Sequence, residues 1–121
     1  MTVQQAISYL DEVKPNAFSQ SVKLRWLSAL EGRVANEVFL MAPEEAEENC
    51  TFTSADLQKE LLVGMPYDDL YTWWLQAQAD LANGEYDRAQ NTMTLFNELW
   101  GQFLRWFCQR YDPIQGYEVT A

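Results

Sequence analysis

A chain of 121 residues, 48% of them hydrophobic, has the size of one ordinary domain and can bury a core without staples, which excludes disorder over most of its length. Eight Lys plus Arg against eighteen Asp plus Glu give a formal charge of −10, which repels phosphate backbones and disfavours a protein that grips DNA or RNA. There is no histidine, so the commonest metal ligand and the usual general base near neutral pH are both missing, and much of enzymology with them.

Cys50 and Cys108 lie far apart in sequence and match none of the close-spaced metal or redox patterns, so they read as two reduced thiols. The opening MTVQQAISYLDEVK lacks a basic start and a continuous apolar run, and no later segment has the length to cross a bilayer. The expectation is a protein kept in the cytoplasm, with no membrane partner.

Thr2 and Gln5 have the spacing of a capping box, and Val3, Ala6, Ile7, Leu10 and Val13 recur at helical intervals until Lys14-Pro15-Asn16 stops them. A second helix of about 20 residues starts after Ser19 or Ser21. It carries Leu24, Leu27, Leu30, Val34, Val38 and Met41 on one stripe and ends before Pro43. From residue 43 to 53, PEEAEENCTFT places four Glu in five positions without sustained periodicity, which predicts a solvated acidic loop. Ser54 to Leu62 allows a brief helical turn, punctuated by Gly64-Met65-Pro66.

Pro66 suits the first turn of a third long helix, with Asp68 and Asp69 near its positive dipole end and Tyr67, Leu70, Tyr71, Trp74 and Leu81 on one face. Asn83-Gly84 stops that helix, because glycine takes the left-handed conformation at little cost. A fourth helix then runs from about 85 to 111, and so short a link makes the pair (about 66–83 and 85–111) an antiparallel hairpin. Tyr86, Ala89, Met93, Phe96, Trp100, Phe103, Phe107 and Tyr111 fall in one sector of it. Leu95, Leu99 and Trp106 are assigned to the opposite side, which makes the helix either central, covered by the first two helices, or an interface to another chain. Residues 112–121, with Pro113, Gly116 and a short Tyr117-containing run of strand propensity, read as an extended arm that frays or pairs with a neighbour. The expected fold is therefore all-α, a single small helical bundle with a long hairpin.

Gly84, Tyr86 and Ala89 match the middle of a tetratricopeptide repeat, but no second copy exists, and one helical hairpin explains the match. Glu44, Glu45 and Glu48 spell half of the magnesium signature of all-α nucleotide pyrophosphatases; the partner ExxD is nowhere in the chain. Asp68, Asp69 and Asp80 read as a cap and a solvated face. Trp73 lies off the main face of its helix, where exposure and burial are equally open. No phosphate-cradling loop occurs and no Ser or Cys has a His to activate it, so no catalytic residue, metal or cofactor is expected.

Four stretches carry a resemblance over nearly the whole chain. They are MTVQQAI, KLRWLSALEGRVANEV, ELLVGMPYDDLYTWWLQAQADLANGEYDRAQNTMTLFN and the aromatic end of the last helix; PYDDLY and ANGEYDRAQNTMTLFN are the most specific. In them the chain resembles small phage and prophage head–tail connector (adaptor) proteins of Gram-positive bacteria. That resemblance implies a structural virion protein, cytoplasmic before assembly and then in the virion neck. It would form a ring with copies of itself on the portal protein, extend the DNA channel without binding DNA specifically, and meet the next neck or tail component. Glu44, Glu45, Glu47 and Glu48 would line the channel; Trp73, Leu95, Leu99, Trp106 and Tyr117 are the candidate subunit contacts. From another class comes an acidic phage-encoded inhibitor that mimics DNA toward a host nucleic-acid-binding protein, as the charge would suit.

Overall fold

The computed structural model describes residues 1–110; Tyr111 and the predicted arm at 112–121, with Tyr117, lie outside the described residues. The fold is all-α: α1 (Val3–Val13), α2 (Gln20–Arg33), α3 (Pro43–Cys50), α4 (Asp69–Ala82) and α5 (Tyr86–Arg110). The predicted capping box is formed. Thr2 Oγ1 accepts from the Gln5 amide at 3.1 Å, and Gln5 Oε1 accepts from the Thr2 amide at 2.8 Å. Two more first-turn amides of α1, those of Val3 and Gln4, donate to the carbonyls of Lys59 at 3.0 Å and Leu57 at 2.8 Å. The connection after α3 is thus a strap laid across the start of α1, because four free amides at a helix start need acceptors.

Ser19 caps α2, accepting from the Val22 amide at 3.3 Å. The helix does not end at Arg33 but widens into a π turn over Val34–Val38, whose closing amide, Phe39, reaches back to the Val34 carbonyl at 3.2 Å. Leu40 follows with φ of 59°, a left-handed conformation that costs a branched apolar residue energy. That turn redirects the chain into α3.

Helix α3 corrects the predicted acidic loop. Pro43 occupies the first turn with Glu44 and Glu45, where a fixed φ and negative charge at the positive dipole end both favour a helix start. Ala46 and Cys50, one turn apart, bury against Ala35 of the π turn, with Met41 alongside. Two small contacts suffice to seat eight residues, and they make too short a period to stand out against the acids.

Helix α4 starts at Asp69 rather than Pro66, after turns closed by Tyr67 N–H to the Gly64 carbonyl at 2.9 Å and Leu70 N–H to the Tyr67 carbonyl at 3.1 Å. Asp68 holds the cap position but its side chain makes no cap hydrogen bond; it faces the Met1 amino group at 4.0 Å. At the far end, Gly84 has φ of 76°, and the Glu85 amide reaches back to the Asp80 carbonyl at 2.9 Å. This is the stop predicted from Asn83-Gly84.

The hairpin of α4 and α5 is the longest packing surface, and α4 also touches α1 and α2. The central helix is therefore α4, not α5. Leu70, Tyr71, Leu75, Ala77 and Ala79 of α4 are all fully enclosed. Helix α5 buries only Ala89, Phe96, Trp100 and Phe103, and Tyr86 and Leu81, expected on inward faces, are 68% and 43% exposed.

Candidate functional site

The second stripe assigned to the last helix is not opposite the first. At about 100° per residue, Leu95, Leu99 and Trp106 lie about 70–110° round from the centre of the Phe96–Trp100–Phe103 sector, on its shoulder. Leu99 and Trp106 accordingly pack half-buried against the main core, while Leu95 is 45% exposed. Trp106 meets Tyr67 with ring centroids 5.5 Å apart and Phe103 at 6.2 Å, and Phe107 meets Phe39 edge-on at 5.3 Å. The aromatic end of α5 is thus tied to the turn after the π helix and to the approach to α4. Trp73 is half-buried against the core.

The structure keeps the predicted acids together on α3 and Leu95, Leu99 and Trp106 on α5, as two separate groups. Glu44, Glu45, Glu47 and Glu48 stand exposed along α3, on the flank of α2. Leu95, on α5, belongs to a different part of the surface. Tyr9, Val13 and Val22 are also exposed on α1 and α2, and the exposed apolar side chains in the connections are Phe39 (38%), Leu40 (60%), Leu62 (38%) and Met65 (87%). Sequence reasoning passed over them because a lone apolar residue in a loop has no period to mark it.

It also missed two buried acids. Asp80, expected on a solvated face, is 1% exposed and bound to Lys14 Nζ at 2.6 Å, while its second oxygen has no hydrogen-bond partner among the described residues. Lys23 and Asp11 form a second tie at 2.6 Å, so α1 is held to α4 and α2 by one ion pair each. Glu31 of α2 is 1% exposed as well. Its Oε1 accepts from the Tyr71 hydroxyl at 2.6 Å and its Oε2 from the Leu62 amide at 2.8 Å, while the Tyr71 oxygen accepts from the Val63 amide at 2.9 Å. One carboxylate and one phenol therefore satisfy two successive amides of the strap, which has no sheet or helix partner there.

Burial raises the Glu31 carboxyl above the usual glutamate range, opposed by the Tyr71 and Leu62 hydrogen bonds and by the charges of Lys59 and the Met1 amino group. The Tyr71 hydroxyl is raised too, first by burial and then by the neighbouring carboxylate, so it stays a donor. Burial likewise raises the Cys50 thiol, which makes it a packed side chain rather than a nucleophile.

Two clefts flank α3. One, of about 260 Å³, runs between α2 and α3 past Ser28, Gly32, Asn36 and Ala46. The other, of about 310 Å³, is walled by Met41, Phe52 and Leu62, with Glu31, Lys59 and Glu60 as its charged groups and Asn49 and Cys50 from α3. Among the described residues no three acids or thiols converge as a metal site, and no helix is long and apolar enough to cross a membrane. No family model, no curated protein and no solved structure matches the chain.

Proposed function

We propose that the chain is a structural subunit of a phage neck, a head–tail connector that assembles as a ring on the portal and extends the DNA channel. The observation that carries the proposal is the sequence resemblance through PYDDLY and ANGEYDRAQNTMTLFN; in the fold these strings form the entry to α4 and the turn into α5. Supporting it, α3 displays Glu44, Glu45, Glu47 and Glu48 to solvent without a basic residue in its span. A channel wall of that sign repels phosphates and lets DNA slide. A closed ring needs a patch on each subunit that fits a different patch on the next. Leu95, Phe39, Leu40 and Met65 are among the exposed apolar positions from which to build it. Leu99, Trp106 and Trp73 offer only their outer edges, and Tyr117 remains a candidate by resemblance alone.

The deciding experiment is the solution mass by light scattering over a concentration series, alone and with a portal ring. A discrete large oligomer, or a monomer that joins the portal in fixed stoichiometry, is the expected result. A monomer that ignores the portal at every concentration overturns the reading. Salt-sensitive capture of a basic DNA-binding protein by that monomer would establish the inhibitor class instead.

A further inference from the structure

Two charged surfaces of the subunit have no counterpart within it. Glu44, Glu45, Glu47 and Glu48 of α3 are all exposed, and none is in an ion pair among the described residues. Lys59 reaches α3 at the Asn49 carbonyl, not at a glutamate. The opposite sign collects over residues 99–110 of α5, which contain two arginines and no acid; Asp87 and Glu98, the acids of that helix, precede them. Arg105 and Arg110 are exposed and likewise have no ion-pair partner among the described residues. Since α3 packs on α2 and the π turn, and α5 on α4, the two sets of charges do not meet inside one copy. Each surface also has a shape. Leu95, Glu98, Gln102, Arg105 and Gln109 recur at spacings of three and four and are all exposed, so they form one outward row of α5. The cleft of about 260 Å³ between α2 and α3 is open above Gly32, where a side chain would find no packed neighbour within 4 Å. Its α3 wall is Pro43, Ala46 and Glu47. At about 100° per residue, Glu44 and Glu47 share the flank of α3 that borders this cleft, and Glu45 and Glu48 share the other flank.

We propose that residues 102–110 of one copy lie along the α2–α3 cleft of a second copy of this chain, with Arg105 and Arg110 against Glu44 and Glu47. At a net charge of −10, copies repel one another over most of their surface, and the acid-free end of α5 is a stretch that α3 of another copy can approach. Complementary charge of this kind selects the partner and fixes the register. The contact joins two different patches, so it is head-to-tail, the type from which a ring closes. It therefore rests on the ring reading and sharpens it: Glu45 and Glu48 are left for the channel, whereas Glu44 and Glu47 turn to the neighbour.

The test is the solution mass of the full chain by light scattering over a concentration series, with the portal ring added if the chain alone stays monomeric. Wild type should associate, and less at high salt. Arg105→Glu with Arg110→Glu, and separately Glu44→Lys with Glu47→Lys, should each weaken association several-fold. Mixing those two variants should restore it, because each reversed surface then meets its complement. Glu45→Lys with Glu48→Lys, the same charge change on the other flank, should leave association as it was. If a double reversal unfolds the chain, Arg110→Gln and Glu47→Gln carry the same comparison with smaller effects. Association that neither reversal disturbs, that the control variant disturbs equally, or that mixing fails to restore would overturn this contact and leave the ring reading standing. A wild type that never associates, with or without the portal, would remove both.

Discussion

Helix α4 is enclosed by α1, α2 and α5 and buries seven of its residues, three of them able to hydrogen-bond or carry charge, Tyr71, Thr72 and Asp80. Helix α3 rests on α2 and its π turn through Ala46 and Cys50 and gives its other positions to water. The first is a helix because tertiary packing surrounds it. The second is a helix because its own start favours one, through Pro43 and two acids in the first turn, and because a small patch holds it down. Polar groups follow the same division. In α4 Tyr71 and Asp80 are each tied to a partner on another element, Glu31 and Lys14, whereas the glutamates of α3 need none and can be spent on charge.

Substitutions should separate the two regions by size of effect. Phe96→Ala removes the fully enclosed ring that α5 sets against Trp74, at 5.4 Å between centroids. It should cost about 3–5 kcal/mol in denaturant unfolding; a loss near zero would mean that the hairpin is not the core. Lys14→Met strips Asp80 of its lysine partner and should cost about 3 kcal/mol. Adding Asp80→Asn should restore part of the loss, because the stranded charge is then gone.

Glu31 gives the middle case through pH. Its folded carboxyl is raised, so the folded protein holds that proton more tightly than the unfolded chain does. Its contribution is full below the ordinary glutamate range and is lost as pH rises through the raised folded value. The slope should approach at most about 1.4 kcal/mol per pH unit, and Glu31→Gln should flatten it. An unchanged slope in that variant would assign the dependence to another group. Smallest of all, Glu44→Gln with Glu48→Gln on α3 should change stability by less than about 0.5 kcal/mol. A larger loss would show that α3 is held by more than Ala46 and Cys50.

The sequence by itself determined what depends on near neighbours. Thr2 and Gln5 cap α1 as their spacing requires, Asn83-Gly84 stops α4, and the stripe from Leu24 to Met41 reports one long helix, which the structure keeps through the π turn to Val38 and ends before Met41. Each is a contact within a few residues, where chain geometry leaves little choice. Tertiary structure decided which helix is central, and with it the fate of every polar group near the middle. Asp80 reads as a surface acid in the sequence, and nothing there marks Glu31; Lys14 and Tyr71, 66 and 40 residues away, are their partners in the interior. It also turned Leu99 and Trp106 from a free stripe into the shoulder of the core, since Tyr67 reaches Trp106 only once α4 has folded back along α5. The cleft beside α3 arises in the same way, from a strap that owes its place to two amides held by a carboxylate and a phenol on separate helices. Periodicity carries no information about such partners, because burial in a bundle is fixed by what arrives from distant parts of the chain.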